Sequence, residues 1–333
     1  MIKPGVPAPN LAPLMGTETV RERGGVSYRD IQARSLLNRC DAPRMPFRWT
    51  VNPYRGCAMG CRYCYAAYTH EFLGIEVPEL FHSLVYVKKG GEEETARRLS
   101  SIIRRGELIA LGTATDPYQP AEVDARVTRR FLELVARHRN VRLGIVTKGA
   151  IILRDIDVLD TINRRSHLWV RVSLISPHAD LVRKLDPWAP APAVRIEMMR
   201  RLTEAGIDAG LGLAPILPAL TDDEPSIDRL LGEVAAAGVR KMFTNVLFLR
   251  SPTKEKYLRW LGAEYPRYLE AYERAYAGRV YLHGSYRDRV KEMVGRLKRK
   301  HGFLEKDGDD RGPAPVAEQL GLWPPSTHPR PAG

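Results

Sequence analysis

Between residues 83 and 249 short apolar runs alternate with longer amphipathic ones, and no other feature constrains the fold as tightly. Strands separated by helical segments of this size build βαβ units, and βαβ units build a parallel sheet. The expected strands are 83–87, 108–111, 141–147, 168–175, 209–216 and 241–249. Helices are expected between them at 92–104, 123–135, 155–163, 194–205 and 227–237. In 123–135 the residues Val123, Val127, Phe131, Leu134 and Val135 recur at helical spacing and make one apolar stripe. The helix at 194–205 runs into Gly206, a normal C-terminal stop. About six βα units are visible, fewer than the eight of a closed barrel. Flanking this core (48–250), residues 1–47 are rich in Pro and Arg with little periodicity and read as an arm. Residues 251–305 read as a helical extension with helices at 254–277 and 285–300, and 306–333, rich in Pro, Gly and charge, as a disordered tail.

Three of the four cysteines fall in the run from Arg55 to Tyr65, spaced C-x3-C-x2-C as Cys57, Cys61 and Cys64. On a loop, three thiolates so close together are able to converge on one metal centre. A [4Fe–4S] cluster is normally held by cysteine at every iron, so a three-cysteine loop leaves one iron open to another ligand. Cys40 lies well upstream in the Pro- and Arg-rich stretch. The competing reading is a zinc knuckle or a set of reduced thiols. Zinc usually needs a second pair of Cys or His, and the nearby candidate is His70.

Clustered cysteines argue against a disulfide framework and for a reducing, cytoplasmic compartment. No run approaches the roughly 18 apolar residues of a membrane span, and the first residues lack the apolar core of a signal peptide. The net charge of +13 favours DNA or RNA as a partner. The 52 Lys and Arg are nevertheless spread along the chain, and the densest run, Arg296 to His301, ends a helix where cations also suit the macrodipole.

Strand phase indicates where the chemistry lies. In 168–175, Leu168, Val170, Val172 and Leu174 form one face, while Trp169, Arg171, Ser173 and Ile175 form the other. Arg and Ser pointing into a barrel must be hydrogen-bonded or face a polar ligand. Thr113 and Thr115 share a face at the end of the preceding strand but one, and Lys148 ends the strand between. Polar groups at successive carboxyl ends mark the usual site of such a barrel. Asp116, Tyr118, Gln119 and Glu122 follow Thr115 and are candidates for holding ligand, with helix capping the alternative for Glu122. Tyr281, His283 and Tyr286 are candidates to line the open side, with amphipathic packing the plainer alternative.

The runs Arg48 to Cys57, Tyr63-Cys64-Tyr65 and Gly112 to Pro120 resemble the spore photoproduct lyase-like branch of the radical S-adenosylmethionine (SAM) superfamily, also labelled DNA repair photolyase-related, from about Met45 to Leu249. The resemblance implies a partial (β/α)6 TIM-like barrel, with Cys57, Cys61 and Cys64 binding a [4Fe–4S] cluster. It implies SAM contacts from Thr115, Lys148 and Ser173, to which the reading of the residues above adds Asp116 and Arg171 as further candidates. Tyr63 and Tyr65 match the aromatics that flank the third cysteine, which makes them candidates near the radical. The implied activity is reductive cleavage of SAM to a 5′-deoxyadenosyl radical that abstracts hydrogen from a substrate. An external donor such as a flavodoxin or ferredoxin would supply the electron. One departure bears on the reaction. The lyase returns hydrogen from a further cysteine, and Thr113 stands at that position here, with an O–H bond too strong for the task. The alternatives are a radical enzyme acting on a peptide or metabolite, or a non-enzymatic iron–sulfur or zinc protein that binds nucleic acid.

Overall fold

Six parallel strands form a curved sheet that opens at both edges in the computed structural model, which describes residues 19–41, 45–75, 77–282 and 284–304. The strands in chain order are β1 (Thr19–Arg23), β2 (Val26–Gln32), β3 (Leu37–Arg39), β4 (Trp49–Val51), β5 (Tyr54–Arg55) and β6 (Leu84–Lys89). They continue with β7 (Leu108–Leu111), β8 (Arg142–Thr147), β9 (His167–Ser173), β10 (Asp208–Ile216) and β11 (Lys241–Val246). The helices are α1 (Glu92–Arg104), α2 (Glu122–Ala125), α3 (Val127–Ala136), α4 (Ile156–Asn163) and α5 (Ala179–Leu185). After them come α6 (Pro192–Glu204), α7 (Glu224–Ala236), α8 (Thr253–Glu264), α9 (Pro266–Ala275) and α10 (Ser285–Lys300). The large sheet runs β11-β10-β9-β8-β7-β4-β3, parallel except for β3. It is the sheet of a partial (β/α)6 barrel.

The first barrel strand is β4, not the segment at 83–87. That segment becomes β6 of a separate four-stranded sheet, ordered β1-β2-β6-β5. A three-residue strand is too short to show a period, and strand propensity does not say which sheet a strand joins. Residues 19–39 also carry regular structure where only an arm was expected. Gly24 and Gly25 both take positive φ, as a tight hairpin turn demands, and join β1 to β2. The first part of the arm and the tail at 306–333 lie outside the described residues.

The expected helix at 123–135 is two helices, because Arg126 takes a φ of 49°. Val123 is exposed, and the buried stripe starts at Val127. The carboxylate of Glu122 accepts from the backbone N–H groups of Thr128 (2.9 Å) and Arg129 (3.1 Å), capping α3. It also accepts from the Tyr54 hydroxyl and pairs with Arg154 at 2.9 Å. The expected helix at 254–277 is likewise divided, at Tyr265 and Pro266, since proline at a helix interior removes a donor.

Three apolar clusters form among the described residues, and the two larger ones hold most of these elements together. One lies between sheet and helices, with Ile145, Val170, Val172 and Leu211 against Phe131, Leu159, Met198 and Leu230. The other, at the carboxyl ends of the strands, joins Cys57, Cys61, Leu185, Leu217 and Leu249 to Tyr257, Leu261 and Tyr276. Through it α8 and α9 pack over the cysteine loop. Glu122→Ala should cost about 3–5 kcal/mol, the cost of breaking a buried ion pair from one side. A urea titration checks this: the midpoint should fall with an unchanged slope, and Glu122→Gln should lose less.

Candidate active site

The segment from Gly56 to Cys64 belongs to no strand or helix, so its polar backbone must be satisfied from outside. The Cys57 N–H donates to Phe81 O (2.9 Å), the Arg62 N–H to Leu185 O (2.8 Å), and the Trp188 N–H to Met59 O (3.3 Å). Gln119 grips the loop twice. Its Oε1 accepts from the Ala58 N–H at 2.9 Å, and its Nε2 donates to Gly56 O at 3.2 Å. Thr253, at the start of α8, donates its hydroxyl to Cys64 O at 2.6 Å. Gly56 and Gly60 take φ of 80° and 71°, and a Cβ at Gly56 would run into the Leu84 carbonyl. Fixed this way, the loop presents Cys57, Cys61 and Cys64 to one cavity of about 160 Å³.

That cavity sits at the carboxyl ends of β7 to β11. Thr115, Asp116, Lys148 and Ser173 line it together with Tyr63 and Tyr65, so most of the sequence-expected site residues meet there. Asp116 ties two strand ends together, accepting from Thr147 Oγ1 (2.6 Å), the Lys148 N–H (2.6 Å) and the Tyr118 N–H (2.9 Å). Its own N–H points at Cys57 Sγ, 3.5 Å away. The Tyr65 hydroxyl donates to Thr113 O, and the Thr113 side chain bonds Asn52.

Other candidates sit elsewhere. Arg171 does not line the cavity; it stacks 5.2 Å over the Trp169 ring and pairs with Asp208 at 3.3 Å. Gln119 and Glu122 are committed to the scaffold, and Tyr118 is fully buried outside the lining. Tyr281 packs on Phe248, a lining residue, and Tyr286 donates to Asp222 at 2.8 Å. His283 lies outside the described residues. His70 is buried against Phe81, and Cys40 sits in a separate cluster with Met45, Phe47, Leu108 and Ala110.

Two charged residues that organise the site were missed in the sequence. Asp186 is fully buried, paired with Arg195 at 3.0 Å, and accepts from the Tyr63 hydroxyl at 2.7 Å. Arg195 also donates to Pro190 O (2.7 Å) and Ser173 O (2.9 Å). The Lys148 ammonium lies 5.6 Å over the Tyr63 ring. Burial alone would raise the Asp186 pKa, but Lys148 and Arg195 outweigh it and hold the carboxylate below its usual range. Burial opposes charge on Lys148, yet Cys61 and Asp186 prevail and raise its pKa. Burial and then Asp116 push the Cys57 thiol up to about 12; burial and then Asp186 push Cys61 well above its usual value, and burial raises Cys64. Such thiols ionise readily only when a metal cation arrives to bind them. One signal for Arg195 was present in the sequence: it shares an apolar helical stripe with Met198, Met199 and Leu202. An arginine in such a stripe requires a buried partner.

Among the described residues no three His, Cys, Asp or Glu side chains meet in a way that suits a single metal ion. A [4Fe–4S] cluster makes a different demand, one thiolate at each of several irons, and three cavity-lining thiols fit it. A family model described as the Radical SAM superfamily matches residues 51–231, from β4 into α7. The chain belongs to the radical SAM superfamily. An uncharacterized protein of Mycobacterium tuberculosis is 34% identical over 301 residues, covering 90% of this chain and 87% of the relative. One from Methanocaldococcus jannaschii is 25% identical over 276 residues, covering 81% and 93%. Among solved structures, spore photoproduct lyase complexed with dinucleoside spore photoproduct gives a TM-score of 0.63 at 17% identity, over 83% of this chain and 80% of the other. A double mutant of that lyase with bound AdoMet and dinucleoside spore photoproduct gives 0.57 at 16% identity, over 82% and 78%. At such identity the likeness is one of fold. Membership of the radical SAM superfamily makes the chain a radical SAM enzyme by type and implies a [4Fe–4S] cluster and SAM. Among the described residues no helix is long and apolar enough to cross a membrane.

If Gln119 positions the loop of this radical SAM protein, Gln119→Ala should lower iron retained after anaerobic reconstitution. The fold should lose about 1–3 kcal/mol for the polar groups left unpaired. Iron analysis beside circular dichroism checks both, and full iron retention would reduce Gln119 to a packing role.

Proposed function

We propose that Cys57, Cys61 and Cys64 hold the [4Fe–4S] cluster, that SAM binds across Thr115, Lys148 and Ser173, and that the enzyme abstracts hydrogen from a nucleic-acid substrate. The observation that carries this reading is that all six side chains line one cavity. When bound, the cluster and SAM together supply a carbon-centred radical. The chain's own residues bind, orient and keep water out. Lys148, kept charged by Cys61 and then by Asp186 and Asp116, attracts the carboxylate of SAM, while the Thr115 and Ser173 hydroxyls offer hydrogen bonds beside it. Ala114, Pro215, Leu247 and Phe248 form an apolar wall that excludes water from a reactive species. The hydroxyls of Tyr63 and Tyr65 are both occupied, by Asp186 and by Thr113 O, which suits them to positioning.

The nucleic-acid reading rests on the +13 charge and on the lyase fold, whose solved form holds a dinucleoside photoproduct. With Thr113 where the lyase has a cysteine, dimer reversal by that route is not part of the proposal. A flavodoxin or ferredoxin would deliver the electron.

Iron and sulfide analysis tests the ligands: Cys40→Ala should load normally and the triple alanine variant should not, and the reverse pattern overturns the assignment. Lys148→Ala should weaken SAM binding roughly ten- to a hundredfold, for the loss of about 1.5–3 kcal/mol of charge-assisted contact; equilibrium dialysis measures it. For the substrate class, 5′-deoxyadenosine release under dithionite is followed across a panel of damaged and undamaged DNA and RNA. Stimulation by one member supports the reading, and stimulation by a peptide or metabolite alone overturns it.

A further inference from the structure

A second cavity of about 190 Å³ adjoins the first, sharing Phe47, Tyr65, Thr113, Ala114 and Thr115 as a common wall. Its own chemistry is cationic. Lys88 from β6, Arg55 from β5 and Arg39 from β3 line it, and among the described residues no Asp or Glu does. Arg39 is neutralised at the surface by Asp41, 2.6 Å away. The other two are not. Lys88 is only 7% exposed, and among the described residues neither its ammonium nor the Arg55 guanidinium has a hydrogen-bond or ion-pair partner. A buried cation without a counter-charge is costly, and a second cation beside it makes the cost larger. Burial, and then the charge of Arg55, push Lys88 down to about 8. A fold keeps such a pair most simply when a ligand supplies the missing negative charge.

We propose that this second cavity binds a phosphate group of the substrate through Lys88 and Arg55, so that the rest of the substrate reaches over the shared wall toward the thiol-lined cavity. Phosphate suits the pair: it is an oxyanion with several acceptor atoms, Lys serves as a point charge and Arg as a planar fork. Asn38, Thr50 and Thr69 add uncharged polar groups to the lining. Asn52 is spent on the wall itself, accepting from the Ala114 N–H at 2.8 Å and donating to Thr113 Oγ1 at 3.1 Å. The site rests on the nucleic-acid reading above and specifies it: a phosphate is anchored beside the reacting centre.

The test uses the full chain and inorganic phosphate as probe, followed by thermal shift and calorimetry at constant ionic strength against chloride and acetate. Phosphate should raise the melting temperature of the wild type, while chloride and acetate should not. Lys88→Met should melt at or above the wild-type temperature without ligand and should bind phosphate at least tenfold more weakly, with Lys88→Arg restoring part of the affinity. Equal protection by acetate, or equal phosphate affinity in wild type and Lys88→Met, overturns the proposal. A Lys88→Met variant that melts lower while the wild type ignores phosphate does the same, since Lys88 is then a structural lysine. A dinucleotide with one internal phosphodiester and a sugar phosphate form two further arms. Tighter, Lys88-dependent binding of the dinucleotide assigns the site to a nucleic-acid backbone, and preference for the sugar phosphate assigns it to a small phosphorylated substrate. The Cys57/Cys61/Cys64 triple alanine variant should still bind phosphate, so failure of the radical chemistry and failure of this site are read separately.

Discussion

Asp186 is a carboxylate kept from solvent, and the cysteine end of the barrel is arranged around it. One oxygen takes the Tyr63 hydroxyl and the other takes Arg195, which in turn bonds the carbonyl of Ser173 at the end of β9. The flanking backbone of Leu185 and Trp188 supports the cysteine loop directly. Around the thiols stand two carboxylates, Asp116 and Asp186, and three cations, Lys148, Arg195 and Lys256. One positive charge is left over, so three added thiolates would make the centre negative. A polycationic metal centre offsets that, which is why burial and neighbouring carboxylates hold these thiols protonated until metal arrives.

The run from Gly112 to Glu122 shows how closely scaffold and site are interleaved. Thr115 and Asp116 face the cavity. Asp116 also joins the end of β7 to the end of β8, three residues later Gln119 holds the cysteine loop, and three beyond that Glu122 caps α3. Read as a motif, the run looks like one ligand-binding stretch. Most of its polar atoms are spent on backbone groups that would otherwise be buried unpaired, at about 1–3 kcal/mol each. The loop is therefore placed by the same segment that lines the pocket, and a shift in one moves the other.

Periodicity made the alternating elements legible, since a long amphipathic stripe reports a helix wherever it packs. It could not say that β6 leaves the barrel and β4 enters it, because sheet membership depends on pairing with residues far along the chain. The break at Arg126 escaped for a related reason: it depends on a carboxylate four residues earlier turning back to cap the next helix. For the site, the cysteine spacing and the polar strand ends led to side chains that do meet in one cavity. Arg171 followed the same phase rule yet stays out of the lining, because its partner Asp208 lies at the start of β10, toward the opposite end of the sheet. Asp186 lay in an aperiodic stretch between elements and offered nothing to read, whereas Arg195 in its apolar stripe did.

The +13 charge carries less meaning as a sum than in its placement. Much of the basic surface is neutralised locally on helices, as in Arg98 with Glu94, Arg200 with Glu197 and Glu204, and Arg229 with Glu233. Such exposed pairs are worth little for stability and are screened by salt. Lys88 and Arg55 differ in kind, because Lys88 is buried, Arg55 is half-buried, and among the described residues no acidic side chain lines their cavity, which shares a wall with the thiols. At lower effective dielectric a phosphate is attracted more strongly by such a pair than by two surface arginines at the same distance. In the proposed site the charge that selects a substrate is the small part that the protein leaves unpaired inside.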